Sequence, residues 1–138
     1  MLDPHKERPI DFRIFKDLNI PEVSIRAGNT IVTEGDDGTL MYMIRQGTVE
    51  VQVNGIPVEE ISEGGIFGEM ALLERTTRSA NIVARTDVIA VPLDEKRFMA
   101  LMAKVPHFNL LIMRLLARRI RKMNAKLAVL QAVTTGPN

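Results

Sequence analysis

The residues whose types and spacing could do chemistry lie in the segment 67–80, which reads FGEMALLERTTRSA. Gly68 separates a short apolar run from a short helical pattern, so the backbone there can approach a ligand closely. The amide groups from Glu69 to Ala71 would open a helix, where N–H groups lack a partner and lie at the positive end of the dipole. Arg78 brings a planar set of donors, and Glu69 can accept a hydrogen bond from a sugar hydroxyl. The segment therefore predicts a cradle for an anion such as a phosphate.

Each of these features also has an ordinary interpretation. Glycine often precedes a single-turn helix, and Arg78 with Glu69 would usually form a surface ion pair worth less than about 1 kcal/mol. From these residues alone, a ligand site and a plain surface turn both stay open.

The elements that must position the segment are short β-strands. From Val23 to Pro92 the sequence shows short β-runs separated by glycine and acidic turns, with no helical period. Asn54 and Gly55 lie between two such runs, which is a strong signal for a two-residue hairpin turn. The predicted strands are 23–26, 30–33, 40–46, 48–53, 56–61, 79–84 and 88–92. Seven short strands indicate a barrel or a sandwich, with the β-region at about 20–92.

Two helices follow the strands. Asp94 can cap a helix over 94–104, and Pro106 opens a longer helix over 106–132. Apolar residues on the long helix recur at the three- and four-residue spacing of a coiled-coil seam: Ile112, Leu116, Ile120, Met123, Leu127 and Leu130. This stripe predicts self-association, and packing on the helix's own domain is the alternative.

Composition limits the class of protein. A chain of 138 residues that is 46% apolar is enough for one domain with a real core. We expect this domain over 12–132, with a disordered leader at 1–11 and a flexible tail at 133–138. There is no cysteine, which excludes disulfides and thiolate chemistry and fits a cytoplasmic location. No apolar run is long enough to predict a membrane span, and we expect no membrane partner.

Other functional classes find little support. The two histidines are His5, in the leader, and His107, at the start of the long helix, so a histidine metal site of the cupin type is not expected. We predict no metal, no cofactor and no catalytic residue.

The net charge is only +1, but basic residues cluster in one C-terminal segment: Arg114, Arg118, Arg119, Arg121, Lys122 and Lys126. A nucleic-acid contact is possible there in principle, but a solvated helix face explains the cluster more simply, so we expect no nucleic-acid partner for this chain alone.

The segment 67–80 resembles the phosphate-binding cassette of the cyclic nucleotide-binding domain family, and we call it the cassette below. The resemblance extends over about 12–130 and includes IRAGNTI at 25–31, EGD at 34–36 and MYMIRQGTVEV at 41–51. It implies a mainly β fold, an eight-stranded antiparallel β-roll of jelly-roll type. The flanking elements are a short N-terminal helix, a cassette helix and two C-terminal helices.

The resemblance also implies the roles of the cassette residues. Arg78 would neutralise a cyclic phosphate, and Glu69 would bind the ribose 2′-hydroxyl. The complete predicted ligand-binding set is Phe67, Gly68, Glu69, Met70, Ala71, Arg78, Ser79 and Ala80. Many family members have proline where this chain has Thr77, which predicts a less rigid loop but removes no ligand group.

The purine would be covered by the long helix. By correspondence with the bacterial catabolite activator group, Arg119, Met123 and Asn124 would lie near the base, although Met123 also fits the seam and Arg119 a solvated face. Ser79 does not distinguish cyclic AMP (cAMP) from cyclic GMP (cGMP). We expect cAMP as the ligand, with cGMP as the alternative.

These observations predict a regulatory sensor that couples cyclic nucleotide binding to movement of its C-terminal helix. Its expected partners are the nucleotide and a second copy of the chain or an effector protein. The alternatives are a β-roll sensor of another small ligand, or an interaction module from a transcription regulator or a channel. No helix-turn-helix is predicted in the sequence given.

Overall fold

The computed structural model describes residues 11–134. The expectations of a disordered leader and a flexible tail fall almost wholly on residues 1–10 and 135–138, outside this range. The chain divides into two compact units, one ending at Leu101 and the other beginning at Met102. The first unit contains every strand, so the cassette belongs to it.

The strands form two four-stranded antiparallel sheets. In chain order they are β1 (Val23–Ile25), β2 (Thr30–Val32), β3 (Met41–Gln46), β4 (Val49–Val53), β5 (Ile56–Ile61), β6 (Ile66–Phe67), β7 (Asn81–Ala84) and β8 (Val88–Leu93). One sheet has the order β1-β8-β3-β6 and the other has the order β2-β7-β4-β5. Consecutive strands therefore alternate between sheets at several points, which confirms the predicted β-roll.

The core lies between the two sheets. Its fully buried centre includes Ile44 from β3, Val49 from β4 and Ala90 from β8, each 0% exposed. The runs MYMI at 41–44 and AVPL at 90–93 are nearly all buried, as expected for strands that are covered on both faces. The two sheets therefore enclose one continuous core that includes residues from strands of both sheets.

The predicted hairpin is confirmed. Asn54 and Gly55 join β4 to β5, and Val53 pairs with Ile56 across the turn. Both turn residues have positive φ, 53° for Asn54 and 77° for Gly55. This is the geometry of a type I′ turn, whose twist matches that of the flanking strands.

The strand β6 was not predicted from the hydrophobic pattern of the sequence. The two-residue β6 pairs with β3 through Phe67 and Tyr42. Two residues are too few to show a β-period, so only the family resemblance implied an eighth strand. The observed strand is important for function because it leads directly into the cassette.

Four helices complete the described chain: α1 (Arg13–Asp17), α2 (Glu69–Glu74), α3 (Glu95–Lys104) and α4 (Phe108–Thr134). Asp94 caps α3 as predicted, since its Oδ1 accepts a hydrogen bond of 2.7 Å from the Arg97 N–H. The long helix begins later than expected, and it continues through Val133 and Thr134, which had been assigned to the tail.

The seam residues on α4 differ in exposure. Ile112 is only 5% exposed, whereas Ile120, Met123, Leu127 and Leu130 are each 59% to 62% exposed. The exposed part of the seam is therefore the C-terminal half of the helix. Within residues 11–134, no single helix has both the length and the apolar character needed to cross a membrane, and only the bent pair α3 and α4 meets those requirements jointly.

Candidate functional site

The cassette begins at a sharp change of direction after β6. Phe67 is 0% exposed, and its ring stacks on Tyr42 with centroids 4.9 Å apart and planes at 11°. Gly68 follows with a φ of 77°, and α2 starts at Glu69. The buried ring therefore anchors the strand, and the left-handed glycine turns the chain into the helix.

Gly68 also lets the backbone pass close to two other groups. A Cβ atom at this position would lie 2.7 Å from Nη1 of Arg78 and 3.0 Å from the carbonyl oxygen of Leu40. Both distances are shorter than normal van der Waals contact, so a side chain would disturb the arrangement. The site requires glycine here for its φ angle and for space.

The backbone of Arg78 is fixed by the loop that follows β2. Its N–H donates to the carbonyl oxygen of Asp36 at 2.8 Å, and its own carbonyl oxygen accepts from the N–H of Gly35 at 2.9 Å. These two hydrogen bonds continue the β-pairing beyond the strand ends. They hold Arg78 in place although Thr77, the position that departs from the common family pattern, is exposed.

The guanidinium group of Arg78 is held by two backbone carbonyls. Nη1 donates to the carbonyl oxygen of Gly68 at 3.1 Å, and Nη2 donates to that of Leu40 at 2.9 Å. Since an arginine side chain has five N–H donors, three of them have no partner within residues 11–134. No carboxylate in that range forms an ion pair with Arg78. The half-buried guanidinium group is thus fixed in position by neutral carbonyl groups.

The other predicted residues of the cassette differ in exposure. Glu69 is 6% exposed and lies at the first position of α2. Met70 is 46% exposed, and its Sδ accepts a hydrogen bond of 3.8 Å from Oγ of Ser79. Ala71 and Ala80 are buried. Two contacts, Arg78 with Gly68 and Ser79 with Met70, therefore join the two ends of the cassette.

The predicted base-contacting residues lie on α4, in the second unit. Arg119 is half-buried, and Met123 and Asn124 are exposed. Their role in covering a purine stays a prediction.

Sequence analysis missed the acceptors that position Arg78. The oxygen atoms of Leu40 and Asp36 belong to the backbone, so their residue types carry no signal. Leu40 is also 38 residues from Arg78 in the sequence. The pairing of β3 with β6 brings the residue before β3, Leu40, close to Gly68, and the loop after β2 holds the backbone of Arg78.

Residues 11–134 contain no group of three or more histidine, aspartate, glutamate or cysteine side chains that could hold an ion. His107 is exposed, and His5 lies outside the described residues.

Comparison with known proteins identifies the family. Residues 22–105, more than half of the chain, match the cyclic nucleotide-binding domain. The chain therefore belongs to the cyclic nucleotide-binding domain family. It is 41% identical over 81 residues to a cAMP-dependent protein kinase regulatory subunit from Aspergillus niger, a match that covers 57% of this chain and 20% of that protein. The match spans about a fifth of that relative's length.

Solved structures show the same fold. The catabolite activator protein of Thermus thermophilus is 27% identical with a TM-score of 0.70, over 88% of this chain and 60% of that one. An EAL enzyme solved in a cAMP-bound form is 29% identical with a TM-score of 0.56, over 84% of this chain and 34% of that one. The same enzyme has also been solved in a cGMP-bound form.

We predict that Gly68→Ala destabilises the fold more than Gly64→Ala does. Both glycines have positive φ, 77° and 83°, so an alanine costs about 1 to 2 kcal/mol at either position. Of these two glycines, only Gly68 has other atoms within 4 Å of a Cβ built on it. This crowding should add about 1 kcal/mol or more to the loss of stability. Urea unfolding of both variants measures the difference. Equal losses would show that Gly68 is needed for its backbone angle alone.

Proposed function

We propose that this domain is a regulatory sensor that binds cAMP at the cassette. The observation that carries the proposal is the state of Arg78, a half-buried cation fixed by two carbonyl oxygens without a carboxylate partner among residues 11–134. Such a group favours an anionic ligand, because charge-assisted hydrogen bonds are about twice as strong as neutral ones. A cyclic phosphate supplies one negative charge and oxygen acceptors.

Glu69 supports a sugar phosphate rather than a simple anion. Its carboxylate is almost completely buried, and a carboxylate beside an anion site would repel a second negative charge. A ribose hydroxyl can instead donate a hydrogen bond to it. Arg78 and Glu69 together therefore favour a singly charged ring phosphate with a neighbouring hydroxyl over a linear nucleotide with a doubly charged phosphate.

The choice of cAMP rests on relatives. The matching kinase subunit is named for cAMP, and the EAL enzyme has been solved with either cyclic nucleotide. Ser79 is exposed and its hydroxyl contacts Met70, so it is available to a ligand but does not select the base. We place cAMP first and cGMP second. A regulatory role without catalysis and a cytoplasmic location belong to the same proposal.

Titration calorimetry with three nucleotides tests the ligand. We expect cAMP to bind more tightly than AMP, because the linear phosphate adds charge next to Glu69 and removes the ring geometry. cGMP is the third ligand and reports base preference. Absence of heat with both cyclic ligands at millimolar concentration would contradict the proposed site and would favour a β-roll sensor of another small ligand.

We predict that Arg78→Ala weakens cAMP binding at least about thirty-fold. Removing one partner of a buried charged hydrogen bond costs about 2 to 5 kcal/mol, and about 1.4 kcal/mol corresponds to a factor of ten. Arg75→Ala is the matched control, since Arg75 is an exposed arginine paired with Glu95 on the surface. Calorimetry should show unchanged affinity for the control. Retained affinity in folded Arg78→Ala would remove this residue from the site.

We further propose that α4 reports ligand binding and forms a homodimer. The exposed part of the seam forms an apolar stripe with coiled-coil spacing, made of Ile120, Met123, Leu127 and Leu130. Arg119 and Asn124 flank the stripe and are also the predicted base contacts with Met123. If α4 both contacts the base and forms the dimer, the two equilibria are thermodynamically linked. Ligand binding then changes the dimerisation constant by the same factor by which dimerisation changes the affinity for the ligand.

Charged substitutions on the seam should produce monomers. We predict that Leu127→Glu with Leu130→Glu abolishes the dimer, because each leucine would lose burial worth about 1.5 to 3 kcal/mol. Val129→Glu is the matched control, since Val129 is as exposed as Leu127 but lies on another side of the helix. Sedimentation with and without cAMP measures the oligomeric state. If all samples had the same oligomeric state and the same affinity for cAMP, α4 would have no role in coupling ligand binding to dimerisation.

A further inference from the structure

Gly38 lies in the loop between β2 and β3, beside the guanidinium group of Arg78. A Cβ atom built on Gly38 would overlap Nε of Arg78 and would lie 2.5 Å from both Cζ and Nη2. A Cβ atom built on Gly68 would lie 2.7 Å from Nη1 of the same guanidinium group. Two glycines distant in sequence therefore border one guanidinium group.

The backbone of Gly38 does not itself need glycine. Six other glycines in the described chain have positive φ, and Gly38 is not among them. An alanine could therefore adopt the same backbone angles without strain. The absence of a side chain at Gly38 provides space, and the group that occupies this space belongs to Arg78.

We propose that Gly38 is a positioning residue for the phosphate-binding arginine. This inference rests on the proposed function and deepens it. A side chain at position 38 would displace the guanidinium group, because the end of a flexible side chain moves more easily than the surrounding backbone. The displacement breaks the hydrogen bond from Nη2 to Leu40, which is the bond nearest the added atom. The three remaining donors then no longer point where the site requires them.

A double-mutant cycle tests this inference. Gly38→Ala and the control Gly65→Ala are each placed in the parent chain and in Arg78→Ala. Gly65 also lacks positive φ, and its built Cβ would overlap Cγ2 of Ile61 rather than Arg78. The readouts are cAMP affinity by calorimetry and the urea midpoint without ligand. The second readout is independent of whether cAMP is the ligand.

In the parent chain, Gly38→Ala should weaken cAMP binding by about tenfold, the effect of losing one charge-assisted hydrogen bond. In the Arg78→Ala background the same change should alter the residual affinity by less than about twofold, because the side chain it displaces is absent. The urea midpoint should fall in the parent and change little in Arg78→Ala. Gly65→Ala should lower the midpoint equally in both backgrounds.

Two outcomes would overturn the inference. The first is that affinity and midpoint in Gly38→Ala both match the parent. The second is that both fall equally in the two Arg78 backgrounds, which would mean that the loop and not the arginine responds. Failure of the parent chain to bind cAMP is a separate result that contradicts the proposed ligand. The ligand-free midpoints would still decide whether Gly38 positions Arg78.

Discussion

A guanidinium group held by two backbone carbonyls is the interaction on which the site depends. The carbonyl oxygens of Leu40 and Gly68 fix Arg78 without neutralising it. A carboxylate in their place would compete directly with an anionic ligand, whereas a carbonyl supplies geometry and leaves the charge for the phosphate. The same two bonds connect the loop before β3 with the start of the cassette. If the cassette binds a ligand as we propose, ligand affinity and the local structure of the cassette have a common physical origin.

The β-roll provides the rigidity that this arrangement needs. Leu40 precedes β3, Gly68 follows β6, and these two strands are paired through Tyr42 and Phe67. Stacking of the two rings buries the last residue before the cassette, so the carbonyl oxygen of Gly68 is held close to a packed core. Cores resist small shifts because they are packed as densely as organic crystals. On the proposed function, a site held in this way would require little reorganisation on ligand binding.

The sequence predicted the features whose signals are local. The turn at Asn54 and Gly55 needs positive φ, which those residue types tolerate, and it was predicted correctly. The cap at Asp94 was also predicted from its type and place. By contrast, β6 is too short for a period, and the backbone acceptors of Arg78 carry no residue signal. The exposure of the α4 stripe could not be predicted either, since Ile112 and Leu127 follow the same spacing but only Ile112 is buried. The role of Gly38 carries no signal in the sequence, because its neighbour in space, Arg78, lies far along the chain.

The most direct test of this account is a crystal structure of the chain with cAMP bound. We predict that Arg78 keeps its hydrogen bonds to Leu40 and Gly68 and donates its remaining N–H groups to the cyclic phosphate at about 2.7 to 2.9 Å. Glu69 should accept a hydrogen bond from the ribose hydroxyl in the same complex. A nucleotide bound away from the cassette, or an Arg78 side chain turned away from the phosphate, would contradict the central claim.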